Sequence, residues 1–231
     1  MADRASERLI DLSHVIEEGM TTYKGLPGPQ ICDYWTREAS AANYDDGSAF
    51  QIGRIEMVAN TGTYVDSPFH RHADGKDLSE LPLESLADLE GLVVRRPFEN
   101  GLAVDSDAFA GIDVGGKAVL IHTGWSRYWR TESYQSDHPF LTEAAARALI
   151  DGGARFVGID SHNIDDTRTR GRPVHSLLLG ADIPIGEHLT RFEQLPDSGF
   201  RFSAVPPKIK GMGTFPVRAF AVVRPPNGGP A

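Results

Sequence analysis

Residues 60–72 read Asn-Thr-Gly-Thr-Tyr-Val-Asp-Ser-Pro-Phe-His-Arg-His, the densest run of chemistry-bearing side chains in the sequence. An amide (Asn60), a phenol (Tyr64), a carboxylate (Asp66) and two imidazoles (His70 and His72) all fall at even positions. In extended backbone the even positions share one face, so these groups are predicted to point the same way. Gly62 and Pro68 argue against an unbroken strand. A face that curves or breaks there would draw the polar groups around a pocket. The set supplies the acid, the base and the hydrogen-bond donors of general acid–base catalysis. A structural reading stands beside this one: Asp66 ahead of Ser-Pro also starts turns well, and Arg71 and His72 can simply be solvated.

Composition narrows what such a pocket could hold. The single cysteine, Cys32, cannot form an internal disulfide and excludes thiolate-rich zinc sites. A metal would have to take His, Asp, Glu or neutral oxygen ligands, and eight histidines are available. Acidic residues outnumber basic ones, 32 to 23, for a net charge of −9. With no Lys/Arg cluster to offset this, nucleic acid is not the expected partner. No apolar run reaches the roughly 18 residues of a membrane span. The N-terminus has no apolar signal-peptide core. Cytoplasmic residence and a small-molecule substrate are the resulting expectations.

The elements that must position these residues are short and β-rich. Residues 9–16 read as a strand, as do 50–58, where a slip of phase near Gly53 predicts a bulge. Residues 91–95 and 117–122 are further strands, and the run Val119-Leu120-Ile121 suits burial on both faces. The clearest helix covers 142–151, with Thr142 as its N-cap and Gly152-Gly153 as its end. Residues 156–160 follow as a strand, making a strand–helix–strand crossover over 117–160. Short β segments at 183–187, 201–205 and 216–223 complete the chain. No linker divides it. The expectation is one α/β domain over 1–224, a mixed, strand-rich sheet with few helices, and a flexible tail at 225–231. Trp125, Tyr128 and Trp129 form an aromatic cluster suited to core packing or to walling a flat substrate. His14 and His122, at strand ends, read as satisfied core histidines. Asp160, His162, Asn163, Asp165 and Asp166 form another polar strand end.

The segment 60–70 resembles the signature of the cyclase-like metal-dependent hydrolases, a group that includes bacterial kynurenine formamidase and isatin hydrolase. Their pattern is His-x-Gly-Thr-His-x-Asp-x-Pro-x-His. Here it stands as Asn60-x-Gly62-Thr63-Tyr64-x-Asp66-x-Pro68-x-His70. Further agreement runs in order along residues 9–223: Asp11-Leu12-Ser13-His14, Ala73-Asp74-Gly75, Thr123-Gly124-Trp125, His138-Pro139, His175 with Leu178-Leu179, and Ile183-Pro184-Ile185-x-Glu187. The resemblance implies a swivelling β/β/α, cyclase-like fold. It implies hydrolysis of a small cyclic or aryl amide by metal-activated water, and a homodimer or homotetramer.

Carried over position by position, Asp66, His175 and Glu187 would ligate one divalent metal, zinc or manganese, and His70 would be the general base. Asn60 and Tyr64 stand where the pattern has its two other histidines. An amide oxygen suits hard cations, and a phenol binds metal well only when ionised, so this exchange alters the site. Tyr64 is then a candidate oxyanion donor, and Asn60, His72 and Trp125 are candidates for substrate binding. The exchange leaves two other outcomes open: a metal-free acid–base enzyme, and a non-catalytic binding homologue. His175, after the turn Gly171-Arg172-Pro173, is expected to open a short helix, and Glu187 to close a strand.

Overall fold

The computed structural model describes residues 7–224, so the expected tail at 225–231 lies outside the described residues. In chain order the elements are β1 (Arg8–Asp11), β2 (Gln30–Trp35), α1 (Arg37–Ala41), β3 (Ile52–Glu56), β4 (Tyr64–Asp66), β5 (Leu89–Arg95), β6 (Ala103–Val104), β7 (Ala118–His122), β8 (Phe140–Leu141), α2 (Glu143–Asp151), β9 (Phe156–Ile159), α3 (Pro173–Gly180), β10 (Ile185–Glu187), β11 (Phe200–Ser203), β12 (Thr214–Pro216) and β13 (Phe220–Val223). Nine strands form one sheet in the order β1-β13-β11-β5-β7-β9-β10-β4-β12. The four central strands, β5, β7, β9 and β10, are parallel. Antiparallel strands flank them on both sides. This is the expected α/β domain with a mixed sheet and few helices.

The centre of the sheet is apolar on both faces because it is covered on both. Val119 and Ile121 of β7 join the α2 and α3 residues Leu149, Val174 and Leu178 in one core. Ala118 and Leu120, alternating with them, join Phe156, Phe192 and Phe202 in the other. Each fully buried aliphatic side chain of this kind contributes roughly 1.5–3 kcal/mol. The helix α2 begins as expected, with the Thr142 hydroxyl accepting the Ala145 N–H at 3.1 Å. It is the crossover between the parallel strands β7 and β9.

Three expectations are corrected. The strand expected over 9–16 ends at Asp11. The strand expected over 50–58 is present as β3, which pairs with β2 in a ribbon apart from the main sheet, both strands exposed along their whole length. The bulge falls on β2, where Asp33 and Trp35 face the consecutive residues Gly53 and Ile52. Segment 216–223 is not one strand. Its residues divide between β12 and β13, which lie on opposite sides of the sheet.

Candidate active site

The site lies at the carboxyl end of the parallel strands, where open α/β sheets place their ligands. Strand β4 is the bridge to it. It pairs with β10, setting Tyr64 opposite Glu187, and with β12, setting Asp66 opposite Thr214. Directly opposed residues share a face, as do residues two apart along a strand. Tyr64, Asp66, Glu187 and Thr214 therefore project from the same side of the sheet, and all are buried.

The even-position rule holds only as far as Asp66. Pro68–His70 is a 3₁₀ turn, closed by the His70 N–H to the Ser67 carbonyl at 2.9 Å. This turn, not continued strand, brings His70 back beside Asp66. Its close packing depends on Gly213, where a Cβ would lie 2.5 Å from the His70 nitrogen. The Thr214 hydroxyl then links the two: it donates to Asp66 Oδ1 and lies 2.8 Å from His70 Nδ1. With its one proton on Asp66, the hydroxyl accepts from His70 Nδ1–H, which leaves His70 Nε2 with a free lone pair. Thr214 was not among the residues singled out in the sequence, since a lone Thr after Gly carries no signal there.

His175 comes from the first turn of α3. Its Nδ1 is 2.6 Å from Asp165 Oδ2, and the same carboxylate accepts the backbone N–H groups of Val174 and His175 at 2.8 and 3.0 Å. One acid thus anchors the helix start and orients the ring. His175 Nε2 faces Asp66 Oδ2 at 3.6 Å and Glu187 Oε1 at 3.5 Å. Burial alone would lower the His175 pKa. The carboxylates of Glu187, Asp165 and Asp66 overcome that and raise it to about 10.

Asp66, His70 and His175 offer ligand atoms within 4.8 Å of one another. Asp66 Oδ2 is buried without a hydrogen-bond partner, an expensive arrangement unless something positive faces it. The donor set, carboxylate oxygen and imidazole nitrogen, suits zinc or manganese. Asp66 and His175 are therefore residues that could hold a divalent cation, with His70 the third side chain within reach. Glu187, the third expected ligand, stands beside this pair with its oxygens already engaged. Oε1 accepts the Ile164 N–H at 2.7 Å, and Oε2 lies 2.5 Å from Tyr64 Oη and 3.0 Å from Tyr23 Oη. Burial, then the Glu187 charge, keeps the Tyr64 hydroxyl protonated, its pKa pushed well above the ordinary value. Tyr64 thus donates to Glu187. Tyr23 was not singled out in the sequence; it joins this network only through the fold.

The other candidates go elsewhere. The His72 ring is 3.0 Å from the Ser176 carbonyl on α3. Trp125 is buried, donates to the Tyr134 carbonyl at 3.0 Å and packs on Phe98 and Tyr128. Asn60 is half-buried, and no side-chain hydrogen bond joins it to the cluster among the described residues. Asp160 accepts from the Thr123 and Gly124 N–H groups at 2.8 Å each and so fixes a loop.

A second group of histidines forms an aromatic nest next to the cluster. His14 stacks on Trp129 with ring centroids 4.1 Å apart, and His188 Nδ1 is 2.9 Å from Tyr134 Oη. The His162 ring lies 5.7 Å from that of His188. His14 Nε2, His162 Nδ1 and His188 Nε2 are buried without partners, so His14 is not the satisfied core residue expected. Burial is the main cause of their lowered pKa values: about 4 for His14, about 3 for His162 and well below the ordinary value for His188.

A parallel-centred sheet with a carboxylate–imidazole cluster at its carboxyl end defines a class, and sequence comparison agrees with it. Residues 10–166 match the family model described as "Putative cyclase", and the chain belongs to that family. It is 27% identical over 212 residues to the kynurenine formamidase of Geobacillus thermodenitrificans (strain NG80-2), covering 91% of this chain and 95% of the relative. It is 28% identical to that of Salinibacter ruber, with the same coverage. A solved structure described as a potential metal-dependent hydrolase with cyclase activity superposes with a TM-score of 0.77 at 28% identity, covering 96% of this chain and all of the other. Isatin hydrolase A from Labrenzia aggregata shares the fold, with a TM-score of 0.80 at 23% identity, covering 95% and 94% of the two chains.

Proposed function

We propose that the protein hydrolyses a small amide, with His70 as its general base and acid. The observation that carries this reading is the connected line Asp66–Thr214–His70. It fixes the tautomer and direction of the His70 ring, whose side chain is 34% exposed against none for Asp66. His70 Nε2 is left free to take a proton from water and return it to the leaving nitrogen. Asp66 and His175, with Glu187 alongside, are the residues that would hold a divalent cation. Such a cation would supply a Lewis acid beside the reacting carbonyl and lower the pKa of water. Asp165 keeps His175 Nε2 turned inward, and the Tyr64–Glu187 hydrogen bond holds that carboxylate in place. The names of the formamidase relatives support an amide as substrate.

The raised pKa of His175 favours a second reading, in which the imidazolium itself fills the need for positive charge and the enzyme works without metal. Elemental analysis of protein purified without chelators, alongside turnover of an amide, lactam and lactone panel, separates the two. About one zinc or manganese per chain, with turnover lost on chelation and restored by metal, is the expected result. Turnover without metal and no gain on adding it selects the second reading. No turnover of any panel member under either condition defeats both.

A further inference from the structure

Tyr23 reaches the cluster from a segment with no helix or strand of its own. Residues 12–29 run from β1 to β2 as irregular chain. Within them, residues 19–29 close on themselves. The Gly19 N–H donates to the Pro29 carbonyl at 2.8 Å, and Gly28 packs so closely that a Cβ there would lie 2.6 Å from the Met20 carbonyl oxygen. A closed segment of this length is a compact Ω-loop. Its Thr22 hydroxyl accepts the Gly62 N–H at 2.9 Å, which ties the loop to the backbone just ahead of Tyr64. Met20 and Thr22 are buried beneath it. The Tyr23 ring packs on those of His162 and His188, with centroids 4.5 and 5.4 Å apart.

The Tyr23 hydroxyl then sits at a junction. Tyr64 Oη is 2.7 Å away, the His162 carbonyl 2.9 Å, Glu187 Oε2 3.0 Å and Asn163 Nδ2 3.2 Å. The protons available decide the direction. Tyr64 has one, and it lies on Glu187. Across the shortest of the four contacts, Tyr64 Oη therefore accepts and Tyr23 donates. Burial, then the Glu187 charge, raises the Tyr23 pKa well above its ordinary value, so the hydroxyl keeps the proton it donates. Asn163 heads the line by donating from Nδ2, and its other end is fixed where Oδ1 accepts the Asp165 N–H at 2.9 Å. The bonds run one way, from Asn163 to Tyr23 to Tyr64 to Glu187. Each donor polarises the next, and the line ends on a charged acceptor. The second carboxylate oxygen, Oε1, is left 3.5 Å from His175 Nε2.

We propose that Tyr23 is a positioning residue: through Tyr64 it holds the Glu187 carboxylate in the orientation that keeps Oε1 toward His175, and so raises the affinity of the cluster for a divalent cation. This rests on the metal-holding form of the hydrolase reading. Competition for zinc or manganese between the protein and a chelator tests it without turnover. Tyr23→Phe keeps the ring contacts and removes only the hydroxyl. Its cation affinity should fall about 10-fold, and that of Tyr64→Phe toward about 100-fold, the scale for groups that support metal ligands. Because Tyr23 acts through Tyr64, the double variant should bind no more weakly than Tyr64→Phe alone. Denaturant midpoints of the metal-free proteins give the reading for a merely structural hydroxyl, which would lower the midpoint and leave affinity unchanged. Unchanged affinity in Tyr23→Phe overturns the proposal, as does a double variant in which the two losses multiply. Turnover of the amide panel separates this from the hydrolase reading. Weakened affinity in Tyr23→Phe with no turnover by the unaltered protein keeps the role of Tyr23 and counts against the hydrolase. No uptake of either metal by the unaltered protein overturns the role of Tyr23, while turnover under that condition keeps the hydrolase in its metal-free form.

Discussion

His175 and His188 flank the same glutamate, one across space and one in sequence, yet their environments drive them in opposite directions. Around His175 three carboxylates outweigh the cost of burial and raise its pKa to about 10. Around His188 the neighbours are Tyr134, Tyr23, Trp129 and His162, and burial holds the ring neutral. The first region concentrates negative charge and calls for a cation. The second excludes charge and packs rings against rings. Residue type is the same in both, so the partners decide what each histidine can do.

The largest expected effect that would sharpen this contrast is in the charged cluster. His70→Ala should lower amide turnover by about 10²–10⁴-fold, the usual scale of lost general acid–base catalysis. The variant should still bind metal, measured by elemental analysis. Loss of metal together with turnover would make His70 a ligand instead and break the division between it and His175.

Asp165→Asn comes next. With the orienting carboxylate neutralised, metal affinity measured by competition with a chelator should fall about 10–100-fold. Unchanged affinity would show that His175 needs no support from behind.

The neutral nest makes its own prediction in acid. His14, His162 and His188 have folded pKa values below the unfolded value near 6.5, so the native state binds fewer protons than the unfolded chain as pH falls. Their contribution to stability is complete above about pH 6.5 and is lost as pH falls toward 4. The loss amounts to as much as about 1.4 kcal/mol per histidine for each pH unit. Asp160, raised to about 6 by burial, works the other way below that pH, as does Glu187, also raised by burial, while His122 and His138, lowered by burial, add to the loss. Denaturant midpoints should therefore fall between pH 6.5 and 5, and flat midpoints would mean that the nest admits charge.

The smallest effect is Tyr134→Phe, which removes the hydroxyl from His188 Nδ1 and should cost about 1 kcal/mol in the same assay. A cost near zero would show that ring packing alone holds His188.

Much of the frame was legible before folding. Thr142 as a cap, the doubly buried Val119-Leu120-Ile121 and the crossover to β9 are local or periodic features, and the structure contains each of them. The exposed β2–β3 ribbon was not legible, because alternation in residues 50–58 reports an extended chain and not which partner covers it. In the site, Asp66, His70 and His175 were visible as chemistry. The resemblance also implied their roles; what it did not show was the support behind them, the hydroxyl of Thr214 on His70 and that of Tyr23 on Glu187, which come from segments more than a hundred residues away.

The sequence by itself determined the inventory: no thiolate ligands, an acidic surface, and a motif in which Asn60 and Tyr64 replace histidines. Tertiary structure alone decided what that inventory does. Strand pairing set Tyr64 against Glu187 and Asp66 against Thr214, and a 3₁₀ turn returned His70 to Asp66. Proton affinity and cation preference follow from what lies within a few ångströms of each atom. Those distances come from chain segments that no local pattern relates.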